Sequence, residues 1–135
     1  RSDLVTAPLG SGLSVMATLA PAGAHTITCT ATDSAGNTGT DSIVVTSMSP
    51  VAVINHPSDG ETRPRSVPFV GVARDLEDGA LTGASLVWTS DLDGMIGTGG
   101  MFTFMLTAGT NVVTLTATDS AGNTATDTVT LTITP

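Results

Sequence analysis

The stretch ATDSAGNT occupies residues 31–38 and recurs without change at residues 117–124, an offset of 117 − 31 = 86 residues. The flanking residues repeat in pattern, since HTITCT at 25–30 corresponds to NVVTLT at 111–116. Solenoid repeats are about 20–45 residues long, whereas sandwich domains are roughly 100 residues. The period therefore predicts an array of sandwich-sized domains.

The repeat divides the chain unequally. Residues 51–135 make one complete unit, and residues 1–50 match only the C-terminal half of such a unit. Upstream of the shared stretch, LGSG at 9–12 resembles IGTG at 96–99. The missing front half of the first unit should carry its first three strands. We expect a longer parent protein or another chain to supply them.

Apolar residues alternate with threonine along the last two strands of the complete unit. On one strand the side chains expected to face the core are Val113, Leu115 and Ala117, and on the next strand Leu131 is expected to do the same. The threonines between them would face water. The only tryptophan, Trp88, lies in an earlier predicted strand. The predicted strands are 51–55, 67–73, 85–90, 101–106, 111–118 and 124–133. This pattern predicts an all-β antiparallel sandwich.

The shared stretch is predicted to form a hairpin loop at residues 119–123. Either Gly122 or Asn123 would adopt the positive φ that such a tight turn requires. Cys29, the only cysteine, stands at the position of Leu115 in the repeat. We therefore expect Cys29 to be a small buried apolar side chain on the inward face.

Composition excludes several classes of partner. The formal net charge is −8, the isoelectric point is about 4.1, and all four basic residues are arginines. Such a chain repels nucleic-acid phosphates and anionic membrane surfaces. No apolar run approaches the roughly 18 residues that span a bilayer, so we expect no membrane insertion.

Catalytic motifs are missing from the sequence. It has no Gly-x-Ser-x-Gly run, and the glycine-rich residues 97–100 carry no lysine of the kind that a phosphate-binding loop requires. The two histidines, His25 and His56, lie far apart in the chain. We therefore expect the protein not to be an enzyme.

Three stretches resemble the PKD-like and Ig-like repeats of large secreted or cell-surface bacterial and archaeal proteins. They are RDLEDG at 74–79, LVWTSDLDGMIG at 86–97 and LTATDSAGN at 115–123. The resemblance implies a seven-stranded Ig-like sandwich used as a spacer, an adhesive module or an accessory to secreted hydrolases. One departure is that WTSDLDG at 88–94 replaces the Trp-Asp-Phe-Gly-Asp-Gly hallmark of PKD repeats.

Acidic loops form the one candidate ion site. In an Ig-like sandwich the loop between the second and third strands and the loop between the last two strands, here residues 74–79 and 119–123, lie at the same end, next to the linker from the preceding unit. Oxygen ligands are what calcium requires, six to eight in number. The candidate calcium ligands are Asp75, Glu77, Asp78, Asp119 and Asn123. The alternative is that Asp75 and Asp119 only cap turns through local bonds to the backbone.

These observations predict a non-catalytic structural or adhesive repeat of a secreted or cell-surface protein, with calcium stiffening the junction between repeats. Its partners would be neighbouring repeats or subunits, a cell-surface protein or a glycan. Exposed sheet edges also allow strand pairing with another chain in a filament. The alternative is an accessory carbohydrate- or protein-binding module of a secreted hydrolase, although the chain is poor in the aromatic residues that sugar-binding faces use.

Overall fold

A computed structural model describes residues 1–135 and divides them into two compact units. The first unit comprises residues 1–48 with 120–123, and the second comprises 49–119 with 124–135. The only helix is a 3-10 turn at Gly83–Ser85. The strands are β1 Gly23–Thr32, β2 Thr38–Ser47, β3 Val51–His56, β4 Thr62–Pro64, β5 Ser66–Asp75, β6 Gly79–Leu81, β7 Leu86–Ser90, β8 Gly94–Thr98, β9 Met101–Met105, β10 Gly109–Thr118 and β11 Thr124–Thr134.

The second unit consists of two sheets, as expected for a β-sandwich. One sheet has the strand order β4-β11-β10-β7-β8, and in the other β5 pairs with β3, β6 and β9. All pairs are antiparallel except β4 with β11. The all-β prediction is therefore confirmed at this level.

The inward face of the two long strands is buried as the alternation predicts. Val113, Leu115 and Ala117 of β10 have no exposed surface, and neither does Leu131 of β11. They pack in one core with residues of the opposite sheet. Each large apolar side chain buried in this way contributes roughly 1.5–3 kcal/mol.

An aromatic cluster fills the middle of this core. Trp88 and Phe69 are fully buried, and the ring centroids of Trp88, Phe69 and Phe102 lie 5.2–5.6 Å apart. The indole Nε1 of Trp88 donates to the Gly99 carbonyl at 2.9 Å, so the buried N–H is satisfied. Gly71 makes room for the cluster, because a Cβ there would lie 2.6 Å from the Trp88 ring.

Three short strands were not predicted. β8 lies in the glycine-rich stretch between the predicted strands 85–90 and 101–106, β6 lies between the predicted strands 67–73 and 85–90, and β4 lies between the predicted strands 51–55 and 67–73. Each is an edge segment of three to five residues with no clear apolar alternation. Pairing with a neighbouring strand, rather than local sequence, therefore decides these segments.

The first unit contains one two-stranded sheet, β1 with β2. Its pairing runs from Gly23 opposite Ser47 to Thr32 opposite Thr38. The β10–β11 pairing has the same register 86 residues later, from Gly109 opposite Ile133. The two hairpins are therefore built alike over ten residue pairs.

The prediction that Cys29 is buried is wrong. Its side chain is exposed, and Ile43 on the paired strand is 62% exposed. The equivalent residues Leu115 and Val129 are buried because the other sheet of the second unit covers them. The first unit has no second sheet, so the same sequence pattern leaves its apolar face open.

Candidate functional site

Asp75 ends β5 and begins the acidic loop that the sequence singled out. Its Oδ1 accepts hydrogen bonds from the backbone N–H groups of Glu77 (2.9 Å) and Asp78 (3.0 Å). Burial acts to raise the pKa of the Asp75 carboxyl, but these backbone N–H groups outweigh it, so the pKa lies below its ordinary value. Gly79 then takes φ +75° and closes the loop. This is the turn-capping role that we gave as the alternative to calcium binding.

The second oxygen of Asp75 is unusual. The residue is 7% exposed, and its Oδ2 is buried without any hydrogen-bond partner. A buried carboxylate oxygen without a partner costs free energy, because it has lost its water and gained nothing. A native structure normally satisfies such an atom with a donor, an ordered water or an ion. Capping explains Oδ1 and leaves Oδ2 without a role.

The other predicted calcium ligands differ in their surroundings. Glu77 and Asp78 are exposed, whereas Asp119, directly after β10, is 8% exposed. Asn123 is buried in the first unit, where its Nδ2 donates to the Ser47 hydroxyl and the Met48 carbonyl, both at 3.3 Å.

No group of three or more His, Cys, Asp or Glu side chains is spaced to hold a metal ion. A cation at Asp75 would therefore draw most of its oxygens from backbone carbonyls, amides and water, as calcium sites often do. The calcium site remains a prediction.

The first copy of ATDSAGNT shows how that stretch closes a hairpin. Asp33 Oδ1 accepts from the backbone N–H groups of Ala35 and Asn37, both at 2.9 Å, and Oδ2 accepts from the Asn37 side chain at 2.8 Å. The Asn37 side-chain and backbone donors hold the pKa of Asp33 below its ordinary value. Both Asp33 oxygens are thus engaged within the loop.

Glycine provides the positive φ in both copies. Gly36 has φ +86° and Gly122 has φ +87°, and no residue other than glycine has a positive φ. Of the two candidates in the second loop, Gly122 is therefore the correct one.

A pair of contacts that the sequence analysis missed joins the start of the first unit to β1. Asp3 Oδ1 accepts from the Thr26 backbone N–H at 2.8 Å, as Asp91 Oδ1 accepts from that of Val112 at 2.7 Å. The backbone N–H of each aspartate donates to the carbonyl of the same partner. The tripeptide Ser-Asp-Leu at both 2–4 and 90–92 was the available signal.

The serine before each of these aspartates also makes corresponding contacts in the two units. Ser90 Oγ donates to Asn111 Oδ1 at 2.9 Å, and Ser2 Oγ lies 2.9 Å from Nδ1 of His25. His25 Nε2 must carry a proton, because it lies 2.8 Å from the Pro21 carbonyl, which only accepts. In neutral His25, Nδ1 then accepts from the Ser2 hydroxyl.

The Ser2–His25 pair has the groups of a nucleophile and its base, but not the access. Both residues are fully buried, so no substrate reaches the hydroxyl. Asn111 takes the place of His25 in the second unit and makes the same kind of contact. The pair therefore holds the strand in position.

No protein-family model matches this chain, and no curated protein matches it. The resemblance to PKD-like repeats therefore rests on the quoted residues alone. None of the helical structure is long and apolar enough to cross a bilayer.

Proposed function

We propose that this chain is a non-catalytic structural repeat of a secreted or cell-surface protein, serving as a spacer or adhesive module between neighbouring repeats or subunits. The resemblance to PKD-like, Ig-like tandem repeats supports this reading. So does the recurrence of one hairpin register and one pair of serine–aspartate contacts in both units. Such recurrence is what a module used several times in succession requires.

The observation that carries the proposal is the parallel pairing of β4 with β11. Thr62 lies opposite Thr132 at the start of this pair, so strands from near the two ends of the second unit run side by side. The Gly60 N–H donates to the Thr130 carbonyl at 2.8 Å, and the Thr132 N–H donates to the Glu61 carbonyl at 2.9 Å. When the two ends of the unit are pulled apart, the force acts along these strands and stretches these hydrogen bonds at the same time. This arrangement suits a segment that carries tension.

Acidic side chains hold this unit together rather than line a cleft. Asp59 Oδ1 accepts from the Thr130 N–H, and Asp127 Oδ2 accepts from the Ile54 N–H, both at 2.7 Å. Asp93 binds both the N–H and the hydroxyl of Thr107. Hydrogen bonds to charged groups contribute roughly 1.5–3 kcal/mol each when well shielded and less when exposed. The acidic composition thus supports a structural role.

Single-molecule pulling of the chain between Ser49 and Pro135 tests the tension-bearing role. Asp59→Ala removes one 2.7 Å bond between the terminal segments, whereas Asp91→Ala removes a 2.7 Å bond of the same kind elsewhere in the unit. We expect Asp59→Ala to lower the unfolding force clearly more than Asp91→Ala does. Equal effects on the force would contradict the proposal.

Calcium is the second part of the proposal. We infer that the unpartnered Oδ2 of Asp75 accepts a cation, with Glu77, Asp78, Asp119 and Asn123 as the other predicted ligands. Stiffening of the junction between repeats by this ion stays a prediction. An extracellular module binds calcium at roughly 10⁻⁴ to 10⁻³ M, and such an affinity would stabilise the unit by about 0.4–1.4 kcal/mol at about 1 mM calcium.

The alternative, a carbohydrate-binding accessory module, has less support. All four aromatic residues lie in the second unit, where Trp88 and Phe69 are fully buried and Phe102 and Phe104 are partly buried against the core. None of them forms an exposed platform on which a sugar ring stacks. Retention of the chain on insoluble polysaccharide would favour this alternative over the structural role.

A further inference from the structure

The apolar face of the first unit is only partly covered. This open face consists of Ile27, Cys29, Ile43 and Val45 on β1 and β2. Cys29 is exposed, Ile43 is 62% exposed and Val45 is 37% exposed. The residues at the same register positions of the second unit are buried in its core. They are Val113, Leu115, Val129 and Leu131.

An open cavity of about 610 Å³ lies against this face. Its other wall comes from residues 9–19, which include Leu9, Val15 and Leu19. This segment forms no strand, and Leu13 and Met16 in it are almost fully exposed. Strand pairing does not hold this wall, and its apolar side chains and the open face are both accessible to a partner.

The second unit shows what covers such a face. Its residues 101–105, which precede β10 as residues 15–19 precede β1, form β9 by pairing with β5. The same β5 places Val67 and Phe69 in the core against the β10–β11 sheet. One strand thus orders the upstream segment and covers the apolar face. The first unit has no equivalent of this strand.

We propose that the open face is the docking surface for the front part of a repeat, a segment with the apolar pattern of residues 49–89. Its strand equivalent to β5 would pair with residues 15–19 and place aromatic side chains in the cavity. A second copy of the open face is a poorer occupant, because it offers only Val, Ile and Cys side chains. In the second unit, the large rings of Phe69 and Trp88 fill the equivalent space. This inference does not depend on calcium or on the tension-bearing role.

The repeated serine–aspartate contacts define how to join such a segment. Ser2 and Asp3 make the contacts that Ser90 and Asp91 make in the second unit. A fusion in which a copy of residues 49–89 replaces Arg1 and leads directly into Ser2 therefore gives the first unit the same strands as the second. Residues 2–135 remain unchanged in this fusion.

Cys29 reports directly on the docking. In the 135-residue chain its exposed thiol should react with a disulfide reagent such as DTNB at the rate of an accessible cysteine. In the fusion we expect the rate to fall by about tenfold or more, since docking would restrict reaction to local opening. The matched control carries Phe69→Asp and Trp88→Asp in the added copy only, and its Cys29 should react as fast as in the original chain.

A second measurement covers the case in which the fusion folds poorly. Ile43→Asp should leave the stability of the original chain nearly unchanged and destabilise the fusion, as we expect Val129→Asp to destabilise the second unit, where Val129 is buried. Unchanged Cys29 reactivity in the fusion, together with no effect of Ile43→Asp there, would overturn the proposal. A second result would also overturn it. If Cys29 of the original chain reacted slowly, and its reaction became fast on dilution as sedimentation showed a dimer dissociating, the occupant of the open face would be a second copy.

Discussion

Cys29 and Leu115 hold the same register position in two hairpins, opposite Asp41 and Asp127 respectively, yet Leu115 is fully buried and Cys29 is exposed. The hairpin sequence fixes the pairing in both units. Burial needs something more, because a two-stranded sheet cannot cover its own apolar face. The difference in exposure between Cys29 and Leu115 therefore shows that the opposing sheet is what buries the apolar face of the hairpin.

Truncation at these two positions should have very different effects. Leu115→Ala should lower the free energy of unfolding of the second unit by about 2–5 kcal/mol, because it removes buried methyl groups and leaves a cavity. Cys29→Ala should change stability by no more than about 0.5 kcal/mol, as exposed substitutions do. Urea titration followed by the fluorescence of Trp88, which reports the second unit, measures the first effect. Loss of circular dichroism over the whole chain measures the second. Similar losses at both positions would contradict the open face.

Gly71 is predicted to tolerate no side chain. A Cβ there would meet the Trp88 ring at 2.6 Å and the Leu115 side chain at 2.8 Å, both within the packed core. Gly71→Ala should therefore cost about 1–3 kcal/mol through overpacking. The control is Gly39→Ala in β2, where a Cβ would have nothing within 4 Å. Thermal unfolding of both variants checks the prediction, which would be wrong if Gly71→Ala were as stable as Gly39→Ala.

The long strands could be predicted from sequence because their patterns are local. Alternation placed β10 and β11 within two residues of their observed ends, and turn chemistry narrowed the positive φ of the hairpin loop to Gly122 or Asn123, of which the structure has Gly122. The short strands β4, β6 and β8 could not be predicted in this way. A three- to five-residue edge strand has no room for a pattern, and its pairing depends on which neighbour the fold brings beside it.

The candidate site was predictable only in part. The sequence RDLEDG indicated a polar loop, and the capping role of Asp75 followed from the habit of aspartate to bond the backbone two residues on. The orphaned Oδ2 could not be foreseen, because burial of one oxygen depends on how the loop packs. The contacts of Asp3 and Ser2 were missed for a different reason, since only three residues of the sequence repeat there.

Calcium titration is expected to distinguish the two copies of ATDSAGNT. Isothermal calorimetry of the chain should give binding at roughly 10⁻⁴ to 10⁻³ M, and Asp75→Asn and Asp119→Ala should each weaken it. Asp33→Ala is the matched control, because Asp33 holds the same position in the first copy and is not one of the predicted ligands, and it should leave binding unchanged. Absence of heat, together with a melting temperature that a chelator does not change, would rule out the site.

Acid should destabilise the second unit through Asp93. The backbone N–H of Thr107 donates to its Oδ2 at 3.0 Å, and the Thr107 hydroxyl donates to its Oδ1 at 2.7 Å. These bonds, the backbone one first, hold the pKa of Asp93 below its ordinary value. A carboxyl whose pKa is lower in the folded than in the unfolded state releases its proton more readily when folded. Its stabilising effect is therefore complete above the ordinary pKa of about 3.9 and is lost as pH falls through the lower folded value.

Two substitutions isolate this contribution. Asp93→Asn removes the titrating group, so the free energy of unfolding should be lower at pH 7 and should fall less steeply between about pH 4 and pH 2. Thr107→Val removes only the hydroxyl donor, so the pKa of Asp93 should move partly back toward its ordinary value, and the acid loss should be smaller and should be complete at a higher pH. Urea unfolding followed by Trp88 fluorescence across this range provides the measurement. If Asp93→Asn lost stability with pH as steeply as the original chain, the acid response would have to come from other carboxylates whose pKa is lowered, such as Glu61 and Asp75.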